Sequence, residues 1–311
     1  MENFKLVAIL TILFFLFVYL FYRKNNFEII SFIPYKQEST HYGIKLDSVN
    51  IYENTETVFK PKINIAKCFL ITMKNSKNRY NKFLRNYKKN CTIPLEIIWS
   101  IDTKNQINAD KYKHLVNKEK FSLMRKFDSG EAMRPDHTYF NSGALGCYLG
   151  HMEFYKRCFE QNLDYAIVFE DNVILSNDFM NELGGLIKLI ETNDLDFDAI
   201  FLHCWSHIGE KVHNIPITKL KWTMSTKCYL INVKNMKQHY PLFYPIDNHV
   251  DLAYEKLIYH NNANIYLKNF KSFDIMLTFS NIGHTNVLKN NYVKYFHKDI
   301  ERGMVKCNKF N

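Results

Sequence analysis

The chain is short of the residues that interrupt regular structure, with 10 glycines and 7 prolines among 311 residues. No low-complexity tract and no internal repeat runs through it, which sets aside a disordered tail and a solenoid. Cysteine occurs at Cys68, Cys91, Cys147, Cys158, Cys204, Cys228 and Cys307 but never as a CxxC pair, so neither a zinc ribbon nor a thioredoxin-type site is expected. Buried thiols are one reading and disulfides in an oxidising lumen another, and the odd count leaves a free thiol in either. The basic residues are not concentrated anywhere. A net charge of +10 suits a nucleotide diphosphate, a nucleic acid or an anionic membrane surface alike. With no Arg-rich helix, zinc-finger spacing or RNA-binding aromatic signature beside that charge, no nucleic-acid partner is expected.

Apolar residues, by contrast, are plentiful. At 47% hydrophobic and 15% aromatic, the chain can bury one sizeable core or at most two small ones. The run Phe4 to Tyr22, FKLVAILTILFFLFVYLFY, is apolar except for Lys5 and Thr11 and approaches the ~20 residues that cross a bilayer core. No small-residue cleavage site follows it, which argues for an anchor over a removed signal peptide. Lys5 and the terminal amine on one side balance Arg23 and Lys24 on the other, so charge does not orient the span. The expected organisation is a tail over residues 1–3, a transmembrane anchor over 4–22, a stem or irregular extension over 23–62 and one folded domain over 63–311.

Within that domain short apolar runs alternate with helical patterns: IAKCFLIT, SKNRYNKFLRNYKKN, LEIIWSID, HMEFYKRCFEQN, DYAIVFED, FMNELGGLIKLIET and DAIFLHCW. The order is that of an α/β domain with a mostly parallel sheet flanked by helices. Ligands of such sheets sit outside the carboxyl ends of the strands, so functional residues are expected just after apolar runs.

The stretch Gly143 to Leu175, GALGCYLGHMEFYKRCFEQNLDYAIVFEDNVIL, meets that expectation. A Gly-rich entry leads into an amphipathic helix, a polar turn, a buried strand, and an acidic tip of Glu170, Asp171 and Asn172. Carboxylates at a strand end suit a hard cation such as Mg²⁺ or Mn²⁺. They equally suit a strand-to-loop turn whose acidic residues cap the next segment.

GALGCYLGHMEFYK followed by YAIVFEDNVIL resembles glycosyltransferase family 25, in which a Gly-x-x-Gly-Cys-x-x-Ser-His helix leads to a strand ending Glu-Asp-Asp. Other segments follow in the family's order. CFLITMKNSKNRYNKFLRN resembles the opening strand and helix, with Arg79 at the usual arginine, and WSIDTKN resembles the Val-Asp-Gly-Lys step at Asp102. TKCYLINVKNMKQHY resembles the later Gly-Tyr-Leu-Ile segment, and HVDLAYEKL the Pro-Val-Asp step at Asp251. The chain departs from the pattern at Thr72, where Asn is usual, at Gly150 for Ser, and at Asn172 for the last Asp.

The resemblance implies a GT-A fold, Rossmann-like, preceded here by one transmembrane helix, and inverting transfer of galactose or glucose from a UDP-sugar. The acceptor would be a glycan or a hydroxylysine-type protein side chain. It implies donor contacts from Arg79, Asp102, Glu170 and Asp171, and a Mn²⁺ or Mg²⁺ ion held by Asp171, Asn172 and His284 to stabilise the departing diphosphate. Asp251 would be the base that deprotonates the acceptor hydroxyl, although an Asp there also suits an N-cap for LAYEKLIYH. Type II topology with a lumenal domain follows by analogy. Because Asn172 offers only a neutral oxygen, a catalytically inactive homologue that binds a glycan or nucleotide, or acts as a scaffold at the membrane, is the alternative.

Asp194, Asp196 and Asp198 imitate a metal motif but precede an apolar strand, so they read as loop or helix-end charges. His203 and His207 have helical ligand spacing yet follow a strand pattern and are expected in its exit loop. His151 reads as a hydrogen-bonded core group. Asn90, Cys91 and Thr92 form a glycosylation sequon that matters only if the domain faces a lumen.

Overall fold

In a strand, successive side chains point to opposite faces, and the central strands of this protein fill both faces with apolar groups. A computed structural model describes residues 62–135 and 139–276, which fall in one compact unit. The expected anchor over 4–22, most of the stem and His284 lie outside the described residues. Among the described residues no helix is long and apolar enough to cross a membrane.

The elements are β1 (Ile65–Thr72), α1 (Lys77–Asn90), β2 (Leu95–Trp99), α2 (Gln106–Lys111), α3 (Lys118–Ser129), α4 (Ser142–Glu160), β3 (Tyr165–Glu170) and β4 (Val173–Leu175). They continue with α5 (Phe179–Thr192), β5 (Ala199–His203), β6 (Ser206–Lys211), β7 (Thr218–Met224), β8 (Cys228–Asn232), α6 (Val233–His239), α7 (Val250–Asn261), β9 (Ile265–Leu267) and β10 (Phe273–Ile275). Eight strands form one sheet in the order β2-β1-β3-β8-β5-β9-β7-β6, and β10 pairs with β4 in a separate ribbon. Six of the eight run the same way, and β7 and β8 oppose them. The expected mostly parallel sheet is therefore present, with one antiparallel strand, β8, set between β3 and β5. Its first residues consequently lie beside the carboxyl ends of both neighbours, where Phe169 and His203 each pair with Cys228.

Phe69, Ala166, Val168, Phe201 and Tyr229 join the core under α4, α6 and α7. The residues between them, including Leu70, Ile167, Phe169, Ile200 and Leu230, join the core under α1 and α5. Helix α1 turns Phe83 and Tyr87, one helical turn apart, onto this second core and carries Lys88 and Lys89 in its last turn, where the helix dipole favours cations.

Helix α4 starts earlier than its amphipathic pattern suggests. Asn141 caps it, accepting from the Ala144 N–H at 2.8 Å, and the Gly-rich entry is itself helical. A methyl group on Gly146 would lie 2.6 Å from Thr103 Oγ1 and 2.7 Å from the Ile101 carbonyl, and one on Gly150 would lie 2.8 Å from Ile71 Cγ2. Both glycines thus let the helix approach the ends of β1 and β2, and a side chain at Gly150, where the family carries Ser, would need Ile71 to shift.

Candidate active site

The acidic tip closes β3, and each of its carboxylates is held by groups far away in sequence. Asp171, almost fully buried, accepts from Thr72 Oγ1 at the end of β1 (2.7 Å) and pairs with the Arg79 guanidinium from α1 (3.1 Å). Burial leaves its carboxyl above the ordinary value, against the opposing pull of Arg79 and Thr72. Thr72, standing where the family has Asn, thus serves as a hydrogen-bond donor to the tip.

Glu170 is held from the entry to β8. Its Oε2 accepts from Lys227 Nζ at 2.8 Å, its Oε1 from Thr226 Oγ1 at 3.3 Å, and His151 Nε2 lies 3.7 Å from Oε1. Burial raises this carboxyl, but the Lys227 ammonium and His151 more than reverse the effect and leave it well below the usual carboxylate range. Burial also lowers the Lys227 ammonium, and Glu170 more than restores it, so the pair is charged on both sides. His151 is fully buried on α4; its Nδ1 lies 2.7 Å from the Tyr229 hydroxyl, while Nε2 has no hydrogen-bond partner. The core reading of His151 holds, with the addition that its second nitrogen faces the tip.

Asp251 lies in the first turn of α7, but His249 is the N-cap residue, so the alternative of Asp251 as the N-cap does not hold. Its Oδ2 accepts from the Ser225 N–H at 3.0 Å and its Oδ1 from the Leu252 N–H at 3.1 Å. Ser225, Thr226 and Lys227 are consecutive, so one short segment ties Asp251 to Glu170. Cys147, on α4, is the common neighbour: burial pushes its thiol up, and the charges of Glu170, Lys227, Asp251 and Asp171 all reach it.

Asp102 lies beyond β2 on the same edge of the sheet but is exposed, with Oδ1 accepting from the Lys104 N–H at 3.2 Å; among the described residues no contact joins it to the tip. Asn172 Oδ1 is buried and accepts no hydrogen bond from the described residues.

Two donor sets invite a metal. Of the expected set, Asp171, Asn172 and His284, the first two are described, and they fit a dication poorly. Glu170 and Asp171 are already neutralised by Lys227 and Arg79, Asn172 is neutral, and an ammonium beside the carboxylates repels a second cation. The other set is Cys147, His151 and Glu170, whose ligand atoms lie within 4.8 Å of one another, but it too shares its carboxylate with Lys227.

The residues set aside on sequence grounds lie where that reading places them, with two differences. Asp196 and Asp198 stand at or before the opposite end of β5, accepting from the Asn235 and Asn264 side chains and the Asn264 N–H. His203 is the last residue of β5 and His207 lies in β6, not in a loop, because the chain turns directly into the β6–β7 hairpin. Asn90 of the sequon is buried and donates its amide to the Leu175 carbonyl at 2.6 Å, so its nitrogen is not presented for glycosylation. All six described cysteines are free thiols. Sequence reasoning missed Lys227, Thr226 and Ser225: one lysine before an apolar run carries no signal in so lysine-rich a chain. Cys147 and His151, one turn apart on a helix leading to Glu170, did carry one.

The model of glycosyltransferase family 25 (LPS biosynthesis protein) matches residues 65–275. The chain belongs to this family. Among its relatives, human procollagen galactosyltransferase 2 is 24% identical over 151 residues, covering 49% of this chain and 22% of the relative. Procollagen galactosyltransferase 1-A of Xenopus laevis is 24% identical over 211 residues, covering 63% of this chain and 32% of the relative. Human inactive glycosyltransferase 25 family member 3 is 24% identical over 123 residues, 37% and 21% of the two chains. The matches thus span a third or less of these family 25 relatives.

Proposed function

We propose that this family 25 chain is an inverting hexosyltransferase of GT-A type that moves galactose or glucose from a UDP-sugar to a hydroxyl of a glycan or a hydroxylysine-type protein acceptor. The observation that carries the reading is the Ser225-Thr226-Lys227 segment, which holds the proposed base Asp251 and the tip carboxylate Glu170 on one frame at the carboxyl end of β3. In the proposed reaction the acceptor oxygen attacks the anomeric carbon, its proton passes to an Asp251 carboxylate oxygen, and the bond from that carbon to the UDP oxygen breaks in line. Two backbone N–H groups aim the Asp251 carboxylate. Arg79, holding Asp171, brings positive charge to the face where a diphosphate would lie. Anchoring by residues 4–22, a lumenal setting and a Mn²⁺ or Mg²⁺ ion remain parts of the sequence expectation; of these, the charge balance of the tip supports the ion least.

The test is a donor screen in which the folded protein is incubated with each UDP-sugar, with Mn²⁺ or with EDTA, and UDP release is followed. Release from UDP-galactose or UDP-glucose, lost in Asp251→Asn by about 10²- to 10⁴-fold as for removal of a general base, is the expected result. Asn172 favours a second reading, a binding homologue without turnover. That reading predicts UDP binding with no release from any donor, and release by the wild type ends it.

A further inference from the structure

We propose, resting on the sugar-nucleotide reading above, that Lys227 takes the place of a divalent ion: its ammonium meets the departing diphosphate, and nucleotide binding and transfer need no metal. Three observations converge. The Glu170–Lys227 and Asp171–Arg79 pairs, at 2.8 and 3.1 Å, cancel both carboxylates of the tip. The third position, Asn172, has no charge, so the tip carries none of the surplus negative charge that draws a dication out of water. Lys227 is also placed to reach a ligand. Among the described residues Glu170 is its hydrogen-bond partner, through one ammonium hydrogen, and its side chain keeps 18% of its surface open at the strand ends where ligands of such sheets bind.

The chemistry balances without a metal. When the bond from the anomeric carbon to the diphosphate oxygen breaks, the electron pair stays on that oxygen, and UDP leaves with one more unit of negative charge. The acceptor proton goes to Asp251, and the new charge lies against the Lys227 ammonium, which stabilises it electrostatically without transferring a proton. Glu170 is then a positioning residue. It holds the ammonium in its charged form and, through Thr226, fixes the segment that carries it.

The experiment measures UDP binding by calorimetry and UDP release from the donor, each in EDTA and in Mn²⁺, for the wild type, Lys227→Arg, Lys227→Met and Lys227→Met/Asn172→Asp. The expected wild-type result is binding that EDTA does not change. Lys227→Met weakens it roughly 10- to 100-fold, the range for losing a hydrogen bond to a charged group, while Lys227→Arg largely restores it. The double variant, which exchanges a cation for a carboxylate at the tip, binds UDP only with Mn²⁺ and so shows that it is folded. Wild-type binding or release that EDTA abolishes overturns the proposal, as does Lys227→Met binding UDP like the wild type, or no UDP binding under any condition. Metal-independent UDP binding without release from any donor would leave Lys227 as the resident cation and remove the transferase reading alone.

Discussion

At the residue scale the tip is governed by two ion pairs whose partners are 92 and 57 positions apart, Arg79 with Asp171 and Lys227 with Glu170. Replacing Lys227 by Met leaves Glu170 buried without a counter-charge, which costs roughly 3 kcal/mol by the usual behaviour of broken buried pairs. The sign of the pH dependence follows. In the wild type the folded-state Glu170 carboxyl lies below its ordinary value of 4.5, so the pair's contribution is complete above that pH and is lost as pH falls below it. In the variant only His151 and Thr226 still face the carboxyl against the effect of burial, so it lies higher than in the wild type, the folded variant takes up the proton first, and its stability relative to the wild type rises as pH falls. Urea unfolding at about pH 7 and about pH 5 should show the gap between the two proteins narrowing in acid. A constant gap would mean that Glu170 does not depend on Lys227 for its charge.

At the scale of elements, the glycines of α4 and α5 have opposite meanings. Gly146 packs against the Ile101 carbonyl and Thr103, so Gly146→Ala forces backbone apart and should cost about 1–3 kcal/mol. Gly184 and Gly185 are exposed in α5 with nothing within 4 Å of an added methyl group, so alanine at either should stabilise by about 0.5–1 kcal/mol through helix propensity. Thermal melts of the three single variants should therefore move in opposite directions. The GALG and ELGG segments look alike in the sequence, because close approach between a helix and a strand end leaves no local mark. What sequence periodicity did show was α1, α5, β1, β2, β3 and β5, since apolar spacing is a local property.

At the scale of the molecule, one sheet carries two cores, and its central strands give alternate residues to each. Neither face can lose its packing while the strands keep the other. Phe154→Ala on one face and Phe169→Ala on the other should each cost about 3–5 kcal/mol, and in each variant far-ultraviolet and near-ultraviolet circular dichroism should report a single coincident transition. Separate transitions for the two faces would show that the sheet does not couple them.

The α/β order, the family and the acidic tip after an apolar run were legible in the sequence alone, because each is written in contiguous residues. Only the tertiary structure decided what surrounds them. Lys227 reaches Glu170 because β8 enters the sheet antiparallel between β3 and β5, and a strand's direction depends on its neighbours, not on its own pattern. Long-range packing likewise gives Asp251 to Ser225 and turns a stretch that reads as a metal motif into a pair of balanced ion pairs. Charge at a site is a sum over everything folded against it, and local sequence supplies only one side of that sum.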